Sequence, residues 1–226
     1  MQVNPLLKEI SEMNEITFWS RQMAEHGLFV SIELQAGKQV LDSLGLGSLI
    51  NDGLSIYDFW MDLFNRDMKG EYIDQQVYRD GVIISKNYLK TVLEVANKVW
   101  IGYSLPSELE HYLDETNYYE KIINGEMITQ KELEDFWLDA LKDNAALFAH
   151  LLDPKEDLAI DDAYLFKQLF AKMPANLYRA VNDFNSFTLT LREEQSIGKL
   201  RSIIPPRLAL HIYREGLEAK IKLGLL

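Results

Sequence analysis

A spaced triplet of residues occurs twice in this chain. Pro106, His111 and Glu115 recur as Pro206, His211 and Glu215, each displaced by 100 positions. Proline suits the first turn of a helix, where its missing N–H would have no intrahelical partner anyway. Each histidine precedes its glutamate by four positions, so the two side chains leave one face of such a helix. A second match lies earlier in each half. Phe18-Trp19 recurs as Phe136-Trp137, displaced by 118 positions; at that displacement Glu25 meets Asp143 and His26 meets Asn144. Self-similarity of this kind points to one structural unit used twice. The displacements, 118 and 100, differ by 18, which puts a shortening of that size between the first and fourth helices of the second half.

The rest of the pattern is helical. Strict apolar–polar alternation is missing, and the prolines Pro5, Pro106, Pro154, Pro174, Pro205 and Pro206 fall where helices would start. Thr129–Glu132 and Ser107–Glu110 have the spacing of capping boxes, in which a hydroxyl and a carboxylate each satisfy an otherwise unpaired N–H. Asn124-Gly125 reads as a break. Eight helices are expected, over about 6–34, 38–67, 72–103 and 106–123, then 130–152, 155–173, 175–201 and 205–223. The expected fold is all-α, a tandem duplication of two four-helix bundles, with residues 1–125 forming the first and 126–226 the second.

Composition bounds the function. With 226 residues and 47% hydrophobic side chains, the chain can bury a sizeable core. Its net charge of −12 opposes phosphate backbones, so neither nucleic acid nor an anionic membrane is expected as a partner. It contains no cysteine, which excludes disulfides, thiolate metal ligands and cysteine nucleophiles. Uncharged stretches run to about ten residues, short of the ~18–20 that a membrane span needs. The opening MQVNPLLKEI lacks the basic-then-apolar order of a signal peptide. A soluble, cytoplasmic protein is the expectation, and a homo-oligomer remains open. No phosphate-binding glycine loop, Gly-x-Ser-x-Gly elbow or His-Glu-x-x-His helix occurs.

The repeated segments hold three of the four histidines, His26, His111 and His211; His150 has no repeat partner and reads as structural or surface. On the opening helix of the second half, Leu133, Phe136, Ala140, Asp143 and Leu147 form a stripe with Asp143 as its polar member. The matching stripe holds Glu15, Phe18, Gln22, Glu25 and Phe29, and His26 lies beside it among Ile16, Trp19, Met23 and Val30. A carboxylate facing a core is costly unless it is paired or bound to metal. Glu25, Asp143, Glu115 and Glu215 with His111 and His211 make four carboxylates and two imidazoles, the ligand count of di-iron and di-manganese carboxylate bundles. Those bundles use Glu-x-x-His arms, whereas this chain has His-x3-Glu. The candidate metal ligands are therefore Glu25, His26, His111, Glu115, Asp143, His211 and Glu215, and the expected ion is iron or manganese, with zinc as the alternative. The competing reading makes the same pairs structural, with Glu25 and Asp143 held by Arg or Lys. The protein would then be a non-enzymatic interaction module. Metal storage or sensing without turnover is a third reading.

Two segments carry a family resemblance. Glu15 to Phe29, EITFWSRQMAEHGLF, resembles the opening helix of a Bacillus metalloprotein-like family of unknown function. Phe136 to Glu156, FWLDALKDNAALFAHLLDPKE, resembles that family's second opening helix. The resemblance implies tandem four-helix bundles and metal contact for Glu25, His26, His111, Glu115, His211 and Glu215. The family shows Glu-His where this chain has Asp143-Asn144, so the second half keeps a carboxylate and lacks an imidazole. The resemblance supplies a fold and a metal, and no reaction.

Overall fold

The computed structural model describes residues 5–103 and 105–225, so Met1–Asn4 of the first expected bundle lie outside the described residues. The fold is all-α. Among the described residues ten α-helices follow in order: α1 Pro5–Glu12, α2 Glu15–Leu34, α3 Lys38–Ser43, α4 Ser48–Met68, α5 Gln75–Ala96, α6 Pro106–Ile123, α7 Gln130–Leu151, α8 Asp157–Phe170, α9 Leu177–Ser196 and α10 Pro206–Lys222. Among the described residues the only β pairing is a single antiparallel bridge, Leu152–Ser202. None of the described helices is long and apolar enough to cross a membrane.

The expected helix 6–34 is two helices. Asn14 takes an extended conformation and its side chain accepts a hydrogen bond from the Thr17 N–H at 2.9 Å, so it caps α2 and ends α1. The expected helix 38–67 is also divided, by the turn at Leu44–Gly47. Thr129 and Glu132 form the expected capping box. Ser107–Glu110 does not form one: α6 starts at Pro106 with Leu105 as its cap residue, which places Ser107 inside the first turn.

Two compact units result, Met13–Met127 and, for the other, Met1–Glu12 with Ile128–Leu226. Helix α1 thus groups with the second half, where it packs on α10. In the 13–127 unit, Gly27 of α2 and Gly53 of α4 meet at a close helix crossing. A Cβ on Gly27 would lie 2.7 Å from the Gly53 carbonyl oxygen, and a Cβ on Gly53 would lie 2.3 Å from Ser31 Oγ. Ser31 Oγ donates across this crossing to the Ile50 carbonyl at 2.9 Å. The crossing sets the position of the helix turn that carries His26. An aromatic cluster fills the core: the Tyr119 ring lies 6.2 Å from Trp19 and 5.6 Å from Trp60, both tryptophans fully buried. Trp60 Nε1 donates to Ser85 Oγ at 2.9 Å, which satisfies the polar edge of a buried indole.

The second unit uses phenylalanines instead. Phe184 packs edge-on against Phe166 at 5.3 Å and Phe170 at 5.5 Å, with Phe148 at 6.3 Å. The connection after α7 is tied to the segment before α10. Ile203 N–H donates to the Leu151 carbonyl at 3.1 Å and Asp153 N–H to the Arg201 carbonyl at 3.0 Å. Helix α8 has 14 residues where α4 has 21, and residues 152–156 separate α7 from α8 where 35–47 separate α2 from α4. Most of the length difference between the halves lies in those two places.

Candidate metal centre

Helices α2 and α6 bring His26, His111 and Glu115 together inside the 13–127 unit. His26 is 2% exposed, His111 5% and Glu115 fully buried. His26 Nε2 lies 2.9 Å from Glu115 Oε2, and His111 Nε2 lies 3.5 Å from Glu115 Oε1. Each oxygen of one carboxylate therefore faces one imidazole. The spacing of His111 and Glu115 on α6 makes their approach local. The approach of His26 is tertiary and depends on the packing of α2 against α6.

The imidazole of His26 is held by more than its carboxylate partner. The Tyr112 ring stacks on it at 4.2 Å with an interplanar angle of 19°. Tyr112 in turn donates its hydroxyl to Glu108 Oε1 at 2.8 Å. Burial, the charge of Glu108 and that of Glu33 push the Tyr112 phenol well above its ordinary range. It therefore stays a neutral donor, and Glu108 stays its acceptor. One turn further along α6, Thr116 Oγ1 donates to the Tyr112 carbonyl at 2.6 Å. Tyr112 and Glu108 were absent from the sequence-derived set. Their signal is readable: Glu108, Tyr112 and Glu115 follow the i, i+4, i+7 spacing of one buried helical face.

The second unit repeats part of this arrangement. His211 Nε2 lies 2.7 Å from Glu215 Oε1, and both residues are buried. From α7, Asn144 donates its Nδ2 to Glu215 Oε2 at 2.6 Å. Asn144 thus makes toward Glu215 the contact that His26 makes toward Glu115. Asn185 of α9 brings a second buried amide close by: its Oδ1 lies 1.9 Å from where a Cβ on Gly216 would be, so only glycine fits beside it. The described residues give the Asn185 side-chain atoms no hydrogen-bond partner.

One expected ligand, Asp143, stands apart from these groups. Asp143 is not a core residue. Its side chain is 39% exposed and pairs with Lys142 Nζ at 3.6 Å. The buried face of α7 runs through Trp137, Leu141, Asn144 and Phe148, turned by one residue from the expected stripe. That rotation exposes Asp143 and buries Asn144. Glu25 is buried, 1% exposed, and pairs with Arg21 Nε at 3.7 Å on the preceding turn of α2. His150 is exposed, in accord with a surface reading.

Metal–nitrogen and metal–oxygen bonds of about 2.0–2.1 Å put neighbouring donors about 3.0 Å apart in an octahedron and about 3.4 Å apart in a tetrahedron. The separations of 2.9, 3.5 and 2.7 Å lie close to those edges, the first and last just below the octahedral one and the second just above the tetrahedral one. His111 Nε2 is buried and makes no hydrogen bond among the described residues, so it keeps a donor atom available to an ion. A buried His/Glu group in this protein could therefore hold a metal ion.

No family model matches the chain. An uncharacterized protein of Acanthamoeba polyphaga mimivirus is 23% identical, across 92% of this chain and 78% of the viral protein. Among solved structures, an uncharacterized protein from Bacillus cereus is similar with a TM-score of 0.79 at 15% identity, covering 99% of this chain and 92% of that one. At that identity the likeness establishes the fold.

Proposed function

We propose that the protein binds a first-row transition-metal ion through its buried histidine–glutamate groups: His26, His111 and Glu115 in one unit, His211 and Glu215 in the other. On this reading the chain belongs with the Bacillus metalloprotein-like proteins that its opening helices resemble. One observation carries the proposal. Two imidazole nitrogens from different helices face the two oxygens of Glu115 at 2.9 and 3.5 Å, all three residues being buried. A buried carboxylate costs several kcal/mol unless something balances its charge, and an ion between these donors would do so.

Imidazole and carboxylate without thiolate is the donor chemistry of iron and manganese carboxylate proteins. We assign iron or manganese, with zinc as the competing occupant. Bound there, the ion would supply Lewis-acid or redox chemistry. The chain's own contribution is to fix the donors. Tyr112 stacks on His26 and holds its ring plane, and Glu108 holds Tyr112.

Elemental analysis of protein purified without chelators or a metal-binding tag tests the reading. At least one equivalent of iron, manganese or zinc per chain is expected, and the His26→Ala and His111→Ala variants should lose most of it. A metal-free protein that takes up none of these ions on reconstitution would overturn it. A second reading applies to His211 and Glu215 and rests on Asn144, whose hydrogen bond satisfies Glu215 without metal. There the pair is structural, and His211→Gln would leave metal content unchanged.

A further inference from the structure

A cleft of about 520 Å³ opens between α4 and α5 of the 13–127 unit, within the ~300–1,000 Å³ range of small-molecule sites. Carbon dominates its walls: Ile56, Phe59 and Trp60 come from α4, and Ile84 and Tyr88 from α5. Ile84 is 55% exposed, an apolar side chain standing in water at the mouth. The inner end is different in kind. Ser85 Oγ there accepts from Trp60 Nε1, which leaves its own hydroxyl proton to donate. Tyr88 lines the cleft as well and is buried, its hydroxyl turned to Ser31 at the crossing of α2 and α4.

The inner end also leads somewhere. Ile56, Ser85 and Tyr88 line the cleft and, with His26, line a second cavity of about 10 Å³. That volume is about the room one water molecule occupies. An apolar entrance, the Ser85 hydroxyl at its end and a water-sized gap thus lie in series before the imidazole that contacts Glu115. An exposed Asp52 at the cleft and the net charge of −12 select against anions.

We propose that this cleft binds an uncharged, mainly apolar small molecule, with its polar end at Ser85, one water-width from His26. That the cleft serves a metal centre rests on the reading above; its occupancy by an apolar molecule does not.

The probe is N-phenyl-1-naphthylamine, an uncharged fluorophore, titrated into the full metal-free chain. Saturable one-site binding is expected. Ser55→Trp and Thr91→Trp place an indole in the cleft from exposed positions that bear no core contact. Each should weaken binding at least about tenfold. Ile83→Trp, exposed on α5 outside the cleft, should leave it within about twofold. In the same titration with 15N-histidine label, the His26 imidazole signals, assigned with His26→Gln, should move. Absent binding, or equal binding by the blocked variants, overturns the cleft. Binding that leaves His26 unmoved overturns its connection to the buried group. Both readouts use protein without metal, so a failure of metal binding is seen separately, by elemental analysis.

Discussion

Replacing Glu115 with glutamine exchanges one buried oxygen for an amide nitrogen and leaves side-chain volume nearly unchanged. Two effects then separate. Without metal, the variant loses the charged partner of His26, a 2.9 Å contact of the class worth about 1.5–3 kcal/mol, while the 3.5 Å approach of His111 is too long to add a hydrogen bond. It also sheds the cost of a fully buried carboxylate, which acts in the opposite direction. The metal-free variant should therefore unfold within about 3 kcal/mol of the parent. With metal the difference is categorical. An ion present at 100 times its Kd, and bound only to the folded state, stabilises by about 2.7 kcal/mol. For a chain of this size each kcal/mol moves Tm by about 2–4 °C, so the parent should gain roughly 5–11 °C. Glu115→Gln removes a carboxylate that faces both His26 and His111, and most of that gain should vanish. The assay is calorimetry of both proteins at matched concentration, in chelator and in excess Mn(II) or Zn(II). An equal rise in Tm for parent and variant would show that Glu115 is no ligand.

Three further outcomes are expected. Asn144→Leu removes the amide donor from Glu215 Oε2 and should destabilise by about 1–3 kcal/mol in urea unfolding, because a buried acceptor loses its partner. Gly53→Ala drives a Cβ to 2.3 Å from Ser31 Oγ and 2.5 Å from Tyr88 Oη, so thermal unfolding should show a loss of about 1–3 kcal/mol. Tyr78, Tyr88, Tyr112 and Tyr119 have phenol pKa values raised chiefly by burial. A raised folded-state pKa means stability that is complete below the unfolded value of about 10 and is lost as pH rises beyond it. Absorbance at 295 nm should therefore show these four ionising together with unfolding, above the pH where exposed tyrosines titrate; independent titration near pH 10 would contradict their burial.

Much of this molecule was legible in its residues. Helix type followed from periodicity, and the starts of α6 and α10 at Pro106 and Pro206 followed from proline's tolerance of the first turn. The pairing of His111 with Glu115 and of His211 with Glu215 needed only the helical repeat, because a four-residue spacing brings side chains together in any helix. The grouping of α1 with the second half was not legible, because it depends on contacts with α10 some 200 positions away. Nor was the choice between Asp143 and Asn144. Adjacent positions on a helix differ by about 100°, and either stripe of α7 carries enough apolar residues to be the buried one. Packing chose the face with Trp137 and Phe148, which turned Asn144 toward Glu215 and left Asp143 to Lys142. The approach of His26 to Glu115 is of the same kind. Local periodicity determined which residues share a helix face, and the crossing of helices distant in sequence decided which faces meet.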